Sequence, residues 1–204
     1  GSLIDAAVGV HPHHVAEIDE RGWQRLAALA RDPRASAVGE IGLDYFRNLS
    51  APELQREALA RQLAMASEAA LPVLVHDRDA HDDVTDALLA WSGPPGRPVH
   101  GVLHAFSGDA TMASRLVAAG FLVSFALPVA FRSAVGPRAA APALEPGSFL
   151  VETDAPYLGP GRERRNEPVT ALRVVAELAA LRDVPTEDLV RPIRAAYERL
   201  LGRG

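Results

Sequence analysis

Six short apolar runs recur along the chain, and longer segments with helical periodicity separate them. Strands that alternate with helices in this way are typical of parallel βαβ units. The pattern therefore predicts an α/β protein, with strands over residues 5–10, 36–44, 71–75, 99–103, 121–127 and 149–152.

The segments between the apolar runs predict helices. Residues 15–31 are amphipathic despite one glycine, which favours a helix that buries one face. Ser50 with Glu53 fits a capping box in front of a helix over 52–70, whose first residue is a proline. Further helices are predicted over 79–91, 109–120, 168–181 and 186–201.

Short polar residues in front of these segments are the predicted helix caps. Asp79 is the predicted cap of the third helix, and Ser107 or Asp109 that of the fourth, because their side-chain oxygens can accept from the first backbone N–H groups. The alanine-rich segment 132–144 contains two prolines and is predicted to be a weaker element.

One apolar run, Ser36 to Phe46, contains a single acid at its centre. It reads SAVGEIGLDYF, so Glu40 lies among β-forming residues and between two glycines that leave room for close backbone approach. A carboxylate removed from water costs several kcal/mol without a cationic partner. No lysine or arginine adjoins Glu40, so the partner is expected at other strand ends.

Histidines and acids end three other apolar runs. His76 follows LPVLV, His104 follows HGVL, and Asp154 follows FLVET. With Glu40 they form a set of two imidazoles and two carboxylates, which is typical of a divalent-metal site. Polar residues contributed by the carboxyl ends of several parallel strands favour a (β/α)8 barrel over an open sheet.

Composition narrows the class of protein. The 204 residues are 48% hydrophobic and include no cysteine, which predicts a single domain over 1–204 and excludes disulfides and thiol nucleophiles. A net charge of -5 argues against broad electrostatic capture of nucleic acid. No run is long enough to span a membrane and no secretory signal is visible, so a cytoplasmic location is expected.

Two common catalytic motifs are missing from the sequence. Ser107 has no Gly-x-Ser-x-Gly context, so a nucleophilic serine hydrolase is not indicated. No glycine-rich loop is followed by Lys-Ser or Lys-Thr, so the chain does not resemble an NTPase.

The motifs, taken together, resemble those of TatD-type metal-dependent deoxyribonucleases. The resemblance rests on GEIGLDYF (39–46), PVLVHDRDA (72–80), GVLHAFSG (101–108) and ETDAPYL (152–158), supported by VGVHPH (8–13) and RRNEP (164–168). It implies a TIM barrel of the amidohydrolase-like kind, with a two-metal centre that hydrolyses phosphodiester bonds in DNA.

The resemblance also implies a role for individual residues. Glu40 would bridge two ions, His76 and His104 would bind one of them, and Asp154 would bind the other and position or deprotonate the attacking water. The implied phosphate contacts are His11, Arg78 and Arg165. Asp44, Asn166 and Glu167 would orient their neighbours.

Three of these assignments have alternatives. His11 could bind a metal directly, and His13 is interpreted as part of a turn. Arg78 could instead form a salt bridge with Asp77 or Asp82. The RERR run over 162–165, which includes Arg165, would be a solvated face in most proteins.

The sequence departs from the family pattern at its start. Family members usually begin with a strand that carries His-x-His, whereas only ten residues precede His11. We therefore expect a barrel that lacks roughly its first two βα units and has six strands. Exposed strand edges in such a chain would favour self-association.

The predicted function is a metal-dependent deoxyribonuclease that acts on DNA ends or short single strands. Mg²⁺ or Mn²⁺ is the expected cofactor, and Zn²⁺ is the alternative that the histidines allow. Two other functions stay open: a hydrolase of small esters, amides or lactones, and a catalytically impaired remnant that serves as an interaction module.

Overall fold

A computed structural model describes residues 4–159 and 165–203. The chain forms two compact units. The first extends to Val102 and includes Leu200–Gly202, and the second covers Leu103–Arg199 together with Arg203. The described residues form six strands, as the apolar runs predict, and none of their helices is long and apolar enough to cross a bilayer.

The first unit contains three parallel strands in chain order. Strand β2 pairs with β1 on one side and with β3 on the other, which is the βαβ arrangement that the alternation predicts. The elements are β1 (Ala6–Val8), a 3-10 turn (Pro12–His14), α1 (Glu20–Ala30), β2 (Ala35–Asp44), α2 (Pro52–Ala69), β3 (Val73–Arg78) and α3 (His81–Ala90).

The second unit repeats the alternation. Strand β4 (Gly101–Leu103) lies where the chain passes from the first unit to the second. The elements that follow are α4 (Ala110–Ala118), β5 (Phe121–Phe125), a 3-10 turn (Leu127–Ala130), α5 (Val135–Ala143), β6 (Phe149–Val151), a 3-10 turn (Pro168–Thr170), α6 (Ala171–Arg182) and α7 (Thr186–Leu200). Strands β5 and β6 pair in parallel.

Each unit buries apolar side chains against its strands. In the first unit the inner residues of β2 and β3, among them Val38, Ile41 and Val75, are fully buried. In the second unit Phe125 packs edge-to-face on Phe149 with ring centroids 5.8 Å apart, in the geometry that aromatic pairs prefer. The two cores hold the carboxyl ends of the strands in place, and the candidate site residues lie there.

The predicted starts of helices α1 and α3 differ from the structure. Helix α1 begins at Glu20 and not near residue 15, because Asp19 accepts a hydrogen bond from the Gly22 N–H at 2.7 Å. Helix α3 has no side-chain cap from Asp79. Instead, the Asp77 carboxylate accepts from the Ala80 N–H at 3.3 Å.

The predicted capping box at Ser50 and Glu53 is also wrong. Helix α2 begins after Ala51 without a side-chain cap. The buried Ser50 hydroxyl instead donates to the His13 carbonyl and accepts from the Ala16 N–H, both at 3.3 Å. Ser50 therefore anchors the histidine-rich turn, a contact distant in sequence that a local capping pattern does not predict.

Two further predictions on helices had mixed outcomes. Asp109 is the cap of α4 and accepts from the Met112 N–H at 2.8 Å, as one of the two predicted alternatives. Within the segment 132–144, residues Val135–Ala143 form helix α5 although two prolines, Pro137 and Pro142, lie in it. Pro137 lies in the first turn of α5, where a backbone N–H has no acceptor within the helix.

Candidate metal centre

The carboxyl ends of β2 and β3 bring Glu40, Asp44 and His76 together in the first unit. Gly42 pairs with His76 across the two strands. A Cβ atom on Gly42 would lie 2.0 Å from the His76 carbonyl oxygen, and Gly42 has a φ of +134°. The predicted close approach of the backbone at Gly42 is therefore confirmed, and only glycine fits there.

Glu40 meets two imidazoles. Its Oε1 lies 2.9 Å from Nδ1 of His76 and 3.4 Å from Nε2 of His11. The Glu40 side chain is half-buried, with 32% of its surface exposed. Of the partners expected for this carboxylate at other strand ends, His76 contacts it within the first unit.

Asp44 forms hydrogen bonds with two of the histidines, His13 and His76. Its Oδ2 accepts from Nε2 of His13 at 2.7 Å and from Nε2 of His76 at 3.0 Å. Its Oδ1 accepts from the Arg47 N–H at 2.7 Å. Burial alone would raise the pKa of Asp44, but these hydrogen bonds lower it, so the group is a carboxylate that can only accept.

The charge on Asp44 determines the tautomer of His76. Because Oδ2 of Asp44 only accepts, Nε2 of His76 carries a proton, and Nδ1 of the neutral ring is then an acceptor. That acceptor faces Oε1 of Glu40 at 2.9 Å. Two acceptors at this distance share either a proton or a metal cation, so the donor set fits a divalent ion.

His11 has the opposite tautomer. Its Nδ1 accepts from the His13 N–H at 3.2 Å, which leaves the proton of the neutral ring on Nε2, the atom that faces Glu40. A ring N–H at this position can donate to a phosphate oxygen, the role implied by the sequence. Ring nitrogens of His11, His13 and His76 lie within 4.8 Å of one another, but direct metal binding through Nε2 of His11 would require that nitrogen to lose its proton.

His13 does more than form the predicted turn. It lies in the 3-10 turn and also shares Oδ2 of Asp44 with His76. The available sequence signal is the spacing of His11 and His13, two residues apart. Sequence reasoning did not predict that Asp44 would join His13 to the predicted metal ligand.

In the second unit, His104 follows β4 and contacts an acid that sequence analysis missed. Nδ1 of His104 lies 3.5 Å from Oε2 of Glu152. The other oxygen of Glu152 accepts from the Ala105 N–H. Glu152 is the first residue of ETDAPYL, and its acidity next to the predicted ligand Asp154 was the available signal.

Asp154 lies in a turn after β6. It has a φ of +59°, and its carbonyl accepts from the Tyr157 N–H at 2.7 Å. The buried Asn166 donates through Nδ2 to the carbonyls of Thr153 and Tyr157. Asn166 therefore holds the two ends of the turn together, and its predicted role at the site stays a prediction.

The other predicted residues of this loop are more exposed than Asn166. Arg165 and Glu167 are exposed and, with Asn166, line a cavity of about 450 Å³ that also includes Pro156. Glu167 contributes its backbone to the 3-10 turn that follows. Arg162 and Arg164 lie outside the described residues.

Arg78 at the end of β3 does not form the alternative salt bridge. Within the described part of the chain it forms no ion pair, and its guanidinium lies over the ring of Phe46, 5.0 Å from the centroid. Asp77 instead contacts Nδ1 of His81 at 2.7 Å, and this hydrogen bond raises the pKa of His81. Arg78 is exposed and so is accessible to an anion.

The site residues fall into two groups by unit. Glu40, Asp44, His11 and His76 meet in the first unit, and His104 and Asp154 lie at strand ends of the second. Whether Glu40, His76, His104 and Asp154 bind common ions stays a prediction.

Comparison with known proteins identifies relatives that cover nearly the whole chain. The sequence profile of the family described as TatD related DNase matches residues 1–202. The uncharacterized metal-dependent hydrolase YabD of Bacillus subtilis is 34% identical, over 92% of this chain and 73% of its own length. The 3'-5' ssDNA/RNA exonuclease TatD of Erwinia billingiae is 37% identical, over 96% of this chain and 76% of its own.

A solved structure agrees with these sequence matches. YJJV, a TatD homologue from Escherichia coli K12, is 32% identical and superposes with a TM-score of 0.88, covering 96% of this chain and 76% of that one. This similarity confirms the predicted α/β fold class of the TIM-barrel type.

Proposed function

Because this chain belongs to the TatD-related DNase family, a family of metal-dependent hydrolases and nucleases, we propose that it hydrolyses phosphodiester bonds in DNA. The observation that carries the proposal is the contact of Glu40 with His76, whose ring is also hydrogen-bonded to Asp44. A half-buried carboxylate and an imidazole acceptor lie 2.9 Å apart, and both can bind the same cation.

For the metal ligands we propose the roles that the family resemblance implies. Glu40 would be the ligand common to two ions, His76 and His104 would hold one of them, and Asp154 would hold the other. When bound, divalent cations lower the pKa of water and neutralise charge on phosphate oxygens. Carboxylate ligands favour Mg²⁺ or Mn²⁺, which we propose for activity, and the imidazoles would also accept Zn²⁺.

Residues of the protein orient the proposed ligands and hold or accept protons near them. Asp44 keeps the proton of His76 on Nε2, so that Nδ1 is available as a ligand. Glu152 contacts Nδ1 of His104 at 3.5 Å and limits the orientations of that ring. Asp154 is proposed to hold the attacking water and accept its proton, and the Nε2–H of His11 to donate to a phosphate oxygen.

The proposed substrate is a single strand or a strand end. Relatives such as the Erwinia billingiae protein are named as exonucleases of single-stranded DNA and RNA. A net charge of -5 disfavours broad binding along a duplex. Local contacts by His11, Arg78 and Arg165 suit a short stretch of backbone instead.

The decisive test compares Glu40→Gln with Glu68→Gln. Glu68 is an exposed acid that pairs with Arg31 at 2.8 Å, so its loss controls for a change of charge. With Mn²⁺, we expect the first variant to lose at least about 100-fold in the rate of single-stranded DNA hydrolysis and the second to match the wild type.

Two results would contradict the proposal. Unchanged DNA hydrolysis by Glu40→Gln would remove Glu40 from the reaction. Hydrolysis of small carboxylic esters or amides without cleavage of any oligonucleotide would favour the alternative hydrolase function. Parallel assays with single-stranded DNA, single-stranded RNA and duplex DNA determine the preferred nucleic acid.

A further inference from the structure

An exposed aromatic ring follows Asp44 in the chain and has no role in the candidate metal centre. Phe46 comes two residues after Asp44, at the end of β2, and is 63% exposed. A phenylalanine this exposed is not stabilising a core. Its position at the carboxyl end of the strand places it on the same edge of the sheet as Glu40 and His76.

A cation covers one side of this ring. The Arg78 guanidinium lies 5.0 Å from the Phe46 centroid, and Arg78 is paired in register with Asp44. We call Phe46 and Arg78 the ring–guanidinium platform. Guanidinium and phenyl groups are both planar surfaces on which nucleobases stack.

The turn that presents Phe46 is held rigidly. The Tyr45 N–H donates to the Arg78 carbonyl at 2.9 Å, and the Arg47 N–H donates to Asp44. The Tyr45 hydroxyl donates to Asp83 at 2.5 Å. A ring displayed on a fixed turn loses little conformational entropy on binding, as is favourable for a recognition residue.

The charge around the platform suits a polyanion. In the described part of the first unit, Arg47 and Arg78 are exposed and form no ion pair. Arg21 and Arg25 of α1 are likewise exposed and without an ion pair in this part of the chain, whereas Arg31, Arg34, Arg56 and Arg61 pair with carboxylates. The exposed ring of Phe46 can stack on a base, and the guanidinium groups of Arg47 and Arg78, which form no ion pair, can contact the flanking phosphates.

We propose that the ring–guanidinium platform stacks an unpaired nucleobase next to the phosphate that is cut. This inference rests on the proposed function and narrows it to strands whose bases are accessible. A base in a duplex has both faces covered by its neighbours, so the platform selects single strands and frayed ends.

The test measures binding of a single-stranded oligonucleotide that contains 2-aminopurine, in a Glu40→Gln background that does not cut it. Fluorescence quenching reports stacking on the protein. Phe46→Ala is expected to weaken binding about 5- to 100-fold, and Phe46→Trp to retain it. Arg78→Lys keeps the charge but not the planar group and is expected to weaken binding by a smaller factor.

Leu29→Ala is the matched control. Leu29 is another large apolar side chain of the first unit, 49% exposed, and it lies at the end of α1 just before β2 begins. This places it at the opposite edge of the strands. Its loss is expected to leave oligonucleotide binding unchanged.

A second substrate separates stacking from phosphate binding. An oligonucleotide with abasic sites keeps its phosphates but offers no base, and it is expected to bind the parent and Phe46→Ala equally weakly. Equal binding of intact and abasic strands, or no effect of Phe46→Ala on the intact strand, would overturn the inference.

The outcomes for the inference and for the proposed function are distinct. If the wild type cuts single strands but Phe46→Ala binds and cuts them normally, the stacking inference is contradicted and the proposed function is unaffected. If binding depends on Phe46 but no phosphodiester is cut, stacking of a base on the platform is supported and the proposed function is contradicted.

Discussion

The imidazole of His76 and the carboxylate of Asp44 are joined by a hydrogen bond of 3.0 Å, Nε2 to Oδ2. This contact leaves the opposite nitrogen of His76 facing Glu40 at 2.9 Å. His13 binds the same oxygen of Asp44 at 2.7 Å. One buried carboxylate therefore sets the orientation of two histidines, and the proposed metal site of the first unit is expected to depend on it.

Asp44→Asn is expected to weaken binding of Mn²⁺ about 10- to 100-fold, the usual effect of losing a group that orients a ligand. The amide can donate through its nitrogen, so it no longer forces the proton onto Nε2 of His76. Isothermal titration calorimetry measures the affinity. Asp86→Asn, a change at an exposed acid of the same unit, is the control, and equal affinities in both variants would contradict the role of Asp44.

Gly42→Ala is expected to destabilise the fold by at least about 3 kcal/mol. Its Cβ would meet the His76 carbonyl at 2.0 Å, in a backbone region with a φ of +134°. Gly96→Ala is the control, because Gly96 has a φ of +73° but no atom within 4 Å of the added carbon. That change should cost only about 1–2 kcal/mol.

Chemical denaturation of both glycine variants gives the comparison. Equal free energies of unfolding would mean that backbone conformation alone matters at Gly42, and that the close approach of β2 to β3 is not required. A variant at Gly42 that cannot be obtained folded agrees with the prediction.

His81 should contribute to stability in a pH-dependent way. Its hydrogen bond to Asp77, opposed by burial, raises its pKa above the ordinary 6.5. A group with a higher pKa in the folded state adds stability below its unfolded pKa, and the contribution is lost as the pH rises through the folded pKa. The difference in unfolding free energy between wild type and His81→Gln is therefore expected to be larger at about pH 5 than at about pH 9.

NMR titration of the His81 ring checks the cause. Asp77→Asn should return the pKa of His81 towards 6.5, since the anionic acceptor is lost. A pKa at or below that value in the wild type, or one that Asp77→Asn does not change, would show that the ion pair does not form in solution.

Much of the fold could be predicted from local patterns. The positions of all six strands of the described chain follow from the apolar runs, because burying a continuous apolar segment determines a strand wherever the chain folds. Helix starts were less predictable. Ser50 has the right residue type and spacing for a cap, but its hydroxyl is used by a turn 37 residues away in sequence.

The site could be predicted only in part. Glu40 and His76 were predicted because a lone acid in an apolar run requires a partner, and the two side chains do meet. Glu152 and the bond of His13 to Asp44 were missed, because each depends on which strand ends become neighbours. Self-association, the identity of the metal and the choice of DNA stay predictions.

The most direct test of the central claim, that Glu40 and His76 hold a divalent cation, is a calorimetric titration of the full chain with Mn²⁺. The wild type is expected to bind at least about tenfold more tightly than either Glu40→Gln or His76→Ala. Wild-type affinity in both variants, with the fold intact by circular dichroism, would contradict the account.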